Sequence, residues 1–248
     1  MIHRSFTTGP SGSRVAALSL ALALIGVAQT SPVRAADIDI RITNLTRGSH
    51  FTPLLVAAHP LGTALFEAGQ PASLPLQTMA EGGDIGPLVD VLRTLNCEVG
   101  QNPANGLLAP GQSTTQRLQA GAGTPNVLLS VVAMILPSND GFIGLNSVTI
   151  PTAPGTYHYD LPVYDAGTEA NDEQRGSGAT GQPGFPVPPP LEASTPVNGT
   201  GIAASAEGFV HIHRGVLGDT DARGGPSDID STRQRWLNPA ARVVVTVK

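Results

Sequence analysis

Three apolar runs separated by short turn-forming clusters, at 128–136, 142–150 and 156–163, constrain this chain more than any other feature. Each has strand length, and Pro, Ser, Asn, Asp and Gly fill the gaps, so they read as successive strands of an antiparallel sheet. At two places where a strand gives way to a loop, carboxylates appear among small residues: Ser-Asn-Asp-Gly at 138–141 and Asp-Ala-Gly-Thr-Glu at 165–169. Apolar strands ending in acidic, glycine-containing loops are one way in which a β-sandwich holds a hard cation.

The rest of the chain supports the all-β reading. Ile38, Ile40 and Ile42 alternate with Asp39, Arg41 and Thr43, the period of a half-buried strand. Further short runs at 54–59, 114–118, 209–214 and 242–247 bring the total to about eight strands, enough for a two-sheet antiparallel sandwich. The last of these is expected to join the sheet that holds the 38–44 strand. Between them, 74–80 and 87–95 have helical spacing, with Pro87 suited to a first turn and Asp84 just before it, which predicts two short inserted helices. Charged residues make up only 13 % of the chain, while Gly (29) and Pro (22) are abundant. That composition disfavours a helical bundle and suits strands joined by turns.

Residues 1–35 read as a secretory signal peptide. Arg4 and Arg14 precede an apolar run at 15–28, and Val33-Arg34-Ala35 approximates the pattern a signal peptidase cuts after. The run is shorter than the ~20 residues a membrane-spanning helix needs. The expected mature chain is one domain, 36–248, secreted or periplasmic after cleavage near Ala35, with no transmembrane segment. Cleavage removes three of the fourteen basic residues and none of the nineteen acidic ones, leaving eleven against nineteen. So acidic a chain lacks the basic footprint that nucleic acid demands. The single Cys97 permits no internal disulfide and reads as a small buried hydrophobe. The Gly- and Pro-rich segment at about 176–201 is expected to be a long flexible loop.

Three groups of residues could carry chemistry. Asp140, Asp165 and Glu169 are the oxygen donors expected to hold Ca2+, with Asp172 and the carbonyls of 138–143 as weaker contributors; the bland alternative is a set of solvated acidic loops. His211 and His213 share one strand face by period, which suits a transition metal, although no third ligand adjoins them in sequence. Asp219, Asp221, Asp228 and Asp230 are expected to keep a long loop solvated. Glu67 stands out among the acids of the helical insertion. No nucleophile, phosphate-loop or metalloprotease motif is present in the sequence. Paired acids alone could hydrolyse glycosides, but aromatic residues, at 4 %, are scarce for a sugar platform. An enzyme is therefore not expected; the alternative is an exported metalloenzyme or transition-metal protein using His211 and His213.

PSNDGFIGLNSV followed by LPVYDAGTEAND resembles the spondin N-terminal domain of the F-spondin and mindin type. LFEAGQPASLPLQTMAEGG upstream is similar to another of that family's segments, and the tail EGFVHIHRGVLG…WLNPAARVVV resembles bacterial spondin domain-containing proteins. The resemblance implies a C2-like antiparallel sandwich that carries one calcium ion on Asp140, Asp165 and Glu169. It also implies a non-enzymatic binding or adhesion module whose partner is an extracellular or envelope protein or glycan. Two departures matter: Gly141 stands where the family has Trp, and Glu169 where it has Asp.

Overall fold

The computed structural model describes residues 36–248, and the predicted signal peptide lies outside them. In chain order the elements are β1 (Ala36–Asn44), β2 (His50–Phe51), β3 (Leu55–His59), α1 (Leu74–Gly82), α2 (Gly86–Thr94), β4 (Glu98–Gln101) and β5 (Ser113–Ala120). These are followed by β6 (Leu128–Leu136), β7 (Gly141–Thr149), β8 (Gly155–Leu161), β9 (Val163–Asp165), α3 (Pro189–Glu192), β10 (His211–Ile212) and β11 (Ala241–Val247). The all-β sandwich is the observed fold. A four-stranded sheet runs β5-β1-β11-β8, and a larger one runs β10-β9-β7-β6-β3-β4 with β2 paired to β6. Every pairing between these strands is antiparallel.

The nine residues of β6 are all buried because the large sheet is covered on both faces. Leu129, Val131, Ala133 and Ile135 face the small sheet, where they meet Ile38, Ile40 and Ile42 of β1 and Val243 and Val245 of β11. Val132, Met134 and Leu136 point the other way, onto Leu76 and Met79 of α1 and Leu88 and Leu92 of α2. The inserted helices are thus the lid of a second core rather than an ornament on a connection. Their ends follow local chemistry. Ser73 caps α1 by accepting the Leu76 N–H, Gly83 ends it at φ 74°, and Asp84 Oδ1 accepts the Gly86 N–H at 2.8 Å at the start of α2.

The expected strand at 156–163 is broken at Pro162, which has no N–H to give a ladder. Its first part, β8, stays in the small sheet, and its second, β9, crosses to the large one. The expected strand at 209–214 shrinks to β10, which pairs with β9 at the sheet edge. β11 is internal, lying between β1 and β8. Within 176–201, Phe185 and Leu191 are both buried, as are Gly184, Thr195 and Pro196, so parts of the segment expected to be a flexible loop pack against the sandwich. Among the described residues no helix is long and apolar enough to cross a membrane.

Candidate metal centre

Three strands bring the acidic loops together. Across the large sheet, Gly141 at the start of β7 pairs with Asp165 at the end of β9, and Asp165 pairs in turn with His211 of β10. Asp165 therefore occupies the middle position of a row, with the β6–β7 turn on one side and the histidine strand on the other. Gly141 is needed here for room rather than for a special φ. A Cβ at this position would meet Ser138 Oγ at 2.7 Å and His213 Cδ2 at 3.2 Å. Gly167 is different: it sits at φ 68°, and a Cβ would run into the backbone carbonyl of Phe209, so the 165–169 loop can lie against the 207–209 segment only with glycine there.

Asp140 is wholly buried in the turn before β7. Its Oδ2 accepts the Thr168 N–H at 2.7 Å and the Glu169 N–H at 3.1 Å, while its Oδ1 has no hydrogen-bond partner. Burial pushes this carboxyl up to about 8, and the adjoining Asp165 charge adds to the rise. Asp165 Oδ1 accepts from Gly167 N–H and Oδ2 from Asn171 Nδ2, both at 2.8 Å. The sequence-based pair Asp140 and Asp165 is thus brought together.

The Glu169 side chain is held by other groups. Its Oε1 accepts from Asn139 Nδ2 at 2.7 Å and from the Gly184 N–H, and its Oε2 is buried with no partner. Burial pushes it up to about 7, the like charges of Glu81 and Asp172 add to the rise, and the hydrogen bonds from Asn139 and Gly184 hold it back. Asn139 also donates to Asp172 Oδ1 at 2.7 Å, so one amide ties the two acids into the turn. Of the weaker donors, the Asp140 carbonyl is already taken by the Ala166 N–H.

The histidines face the same Asp165 from the other side. His211 Nε2 is 3.7 Å from Asp165 Oδ1, and His213 Nε2 is 3.8 Å from Asp165 Oδ2. Period 2 did place both on one face, since Ile212 between them is 53 % exposed. Burial pulls His213 down to about 4, which keeps its ring neutral. The carboxylate group and the histidine pair, separate alternatives in the sequence, are one constellation in space. His158 is not part of it, being exposed on β8 of the other sheet.

Glu207 carries no motif, and Asn139 and Asn171, although inside the acidic strings, were not legible as site residues. The only sequence signal for Glu207 is the Glu-Gly step four residues before His211, where Gly208 at φ 85° turns the chain back. Among the described residues, the group of three whose ligand atoms all lie within 4.8 Å of one another is Asp165, Glu207 and His211. The other acids have simpler places. Glu67 is exposed, and Asp228, expected to be solvated, is buried and accepts the N–H groups of Gly199 at 2.7 Å and Arg175 at 2.9 Å.

The fold is thus a two-sheet antiparallel sandwich with carboxylates clustered at the strand ends of its larger sheet. Residues 43–183 match the family model described as Spondin_N, more than half of the 248-residue chain, and the chain belongs to that family. Membership marks it as a module of extracellular type. No curated protein matches the chain.

Proposed function

We propose that this chain is an exported, non-enzymatic binding or adhesion module whose strand-end loops hold a calcium ion on Asp140, Asp165 and Glu169. The observation that carries the reading is the pair of unsatisfied buried oxygens, Asp140 Oδ1 and Glu169 Oε2, on carboxylates whose burial opposes ionisation. A buried acceptor without a donor costs about 1–3 kcal/mol, and a buried charge more. A hard dication removes both penalties by giving those oxygens a partner. Glu169 joins by turning its carboxylate from Asn139 and Gly184 toward Asp140, and the backbone N–H groups of Thr168 and Glu169 keep Asp140 aimed. The ion's role is to fix the 138–141 and 165–169 loops, which present the binding surface to an extracellular or envelope partner.

Calcium at a hundred times its dissociation constant should raise the melting temperature by roughly 5–10 °C, and chelator should reverse the rise. Asp140→Asn should remove the shift, while Asp221→Ala should keep it. Identical melting curves in calcium and in chelator would rule the reading out.

A further inference from the structure

We propose that the chain carries a second cation position, for a zinc-class transition metal, on His211 Nε2, Asp165 Oδ1 and Glu207 Oε2. It goes beyond the calcium reading and shares only Asp165 with it.

The tautomer of His211 decides which of its nitrogens is free to bind a metal. His211 Nδ1 lies 3.0 Å from the Ile212 carbonyl, and a carbonyl only accepts, so Nδ1 is the donor. In the neutral ring Nε2 then presents a lone pair. That lone pair faces Asp165 Oδ1 at 3.7 Å and Glu207 Oε2 at 3.9 Å, and it has no hydrogen-bond partner. These separations are too long for hydrogen bonds. They do match donors sharing one ion: two ligand atoms at 2.0–2.2 Å from a metal, at angles from tetrahedral upward, stand about 3.3–4 Å apart. An imidazole whose second nitrogen donates to a backbone carbonyl is also the usual support of a metal-bound histidine.

The surrounding groups hold the two carboxylates for this purpose. Asn171 Nδ2 donates to Asp165 Oδ2 at 2.8 Å and to Glu207 Oε1 at 3.4 Å, which leaves the other oxygen of each acid turned toward His211. The Gly167 N–H supports Asp165 Oδ1 from the loop side at 2.8 Å.

His213 supplies the independent observation. Its side chain is 1 % exposed and its Nε2 is aimed at Asp165 Oδ2 with no partner. The Gly215 N–H donates to its Nδ1 at 2.9 Å, so Nε2 bears the hydrogen and cannot bind a metal. The His-x-His pair is therefore divided in role. His211 is a ligand, and His213 packs behind the shared carboxylate from the interior, its Nε2–H directed at Asp165 Oδ2 from 3.8 Å. One nitrogen and two carboxylate oxygens select a borderline metal such as Zn2+ over Ca2+. With the side chains of His211 27 % and Glu207 35 % exposed, the remaining coordination position opens to solvent, where water or a partner's side chain completes the sphere.

The test is calorimetric titration of the tag-free protein with Zn2+ in saturating Ca2+, followed by Co2+ substitution and absorption spectroscopy. One equivalent of Zn2+ should bind at micromolar concentration or tighter, with visible Co2+ bands of a mixed nitrogen and oxygen site. His211→Ala should weaken Zn2+ binding about a hundredfold and abolish those bands while leaving the calcium melting shift intact. Glu207→Gln, at a half-exposed position, should weaken it at least tenfold. Asp140→Asn, which removes the calcium site, should still bind Zn2+. Absence of Zn2+ binding below 100 μM, or binding that His211→Ala leaves unchanged, would overturn the proposal without touching the calcium reading.

Discussion

Glu173→Ala is expected to destabilise the domain by about 3–9 kcal/mol in urea unfolding. Glu173 is buried immediately after the acidic loop. Its carboxylate accepts the Leu217 N–H at 2.6 Å, the Gly218 N–H at 2.8 Å and the Ser227 hydroxyl at 2.7 Å. Its backbone works as hard: the N–H donates to Asn139 Oδ1 at 3.0 Å, and the carbonyl accepts the Asp228 N–H at 2.8 Å. Truncation strands three donors in a buried space, each at about 1–3 kcal/mol, which sets the size of the loss. Glu173→Gln keeps an acceptor oxygen and should lose markedly less. Equal losses for the two variants would mean that packing rather than hydrogen bonding holds the 215–230 loop down.

Without divalent cations, the domain should also lose about 3 kcal/mol of stability between pH 6.5 and 9. Asp140 and Glu169 are raised to about 8 and about 7, so the folded state keeps protons that the unfolded chain releases near pH 4. Their contribution is full below the unfolded value and is lost as pH climbs through the folded ones. His213, lowered to about 4 by burial, acts in the opposite sense: its contribution is present above its unfolded value near 6.5 and is lost as pH falls toward 4. The two effects partly cancel between pH 4 and 6.5, so the carboxylates act alone only above that window. Asp165 acts on Asp140 and is itself faced by His211 and His213, with Glu207 beside His211, while Glu81 and Asp172 act on Glu169. Saturating Ca2+ should flatten the profile, and Asp140→Asn should remove most of the slope in chelator. Stability in chelator that rises from pH 6.5 to 9 would contradict the assignment.

The parts of the fold that a local pattern encodes were legible. The run 128–136 is the observed β6 to the residue, and the alternating isoleucines of β1 face the core as their period requires. What escaped are the elements that exist only through their neighbours. β2 and β10 have two residues each and no period of their own, and β9 is cut from β8 by one proline. The site divides along the same line. Asp140 and Asp165 sit beside turn glycines that advertise a strand end, so they could be named. Whether a carboxylate on the loop points into the cluster depends on what donates to it. Asn139 and Gly184, distant from one another in sequence, decide that for Glu169. Asn171 decides it for Glu207, and nothing about an isolated asparagine announces the role.

The order of the small sheet sets a schedule for assembly. β1 lies between β5 and β11, and Ile38 is aligned with Val247 at the far end of the described chain. β8, formed long before, has β11 as its sole neighbour in that sheet. A ribosome delivering this chain N-terminus first therefore cannot finish the sandwich until residue 247 has emerged. Until then β1 and β8 each present a bare ladder edge. The small sheet is therefore the last part of the sandwich to close, and its bare edges need shielding until β11 arrives.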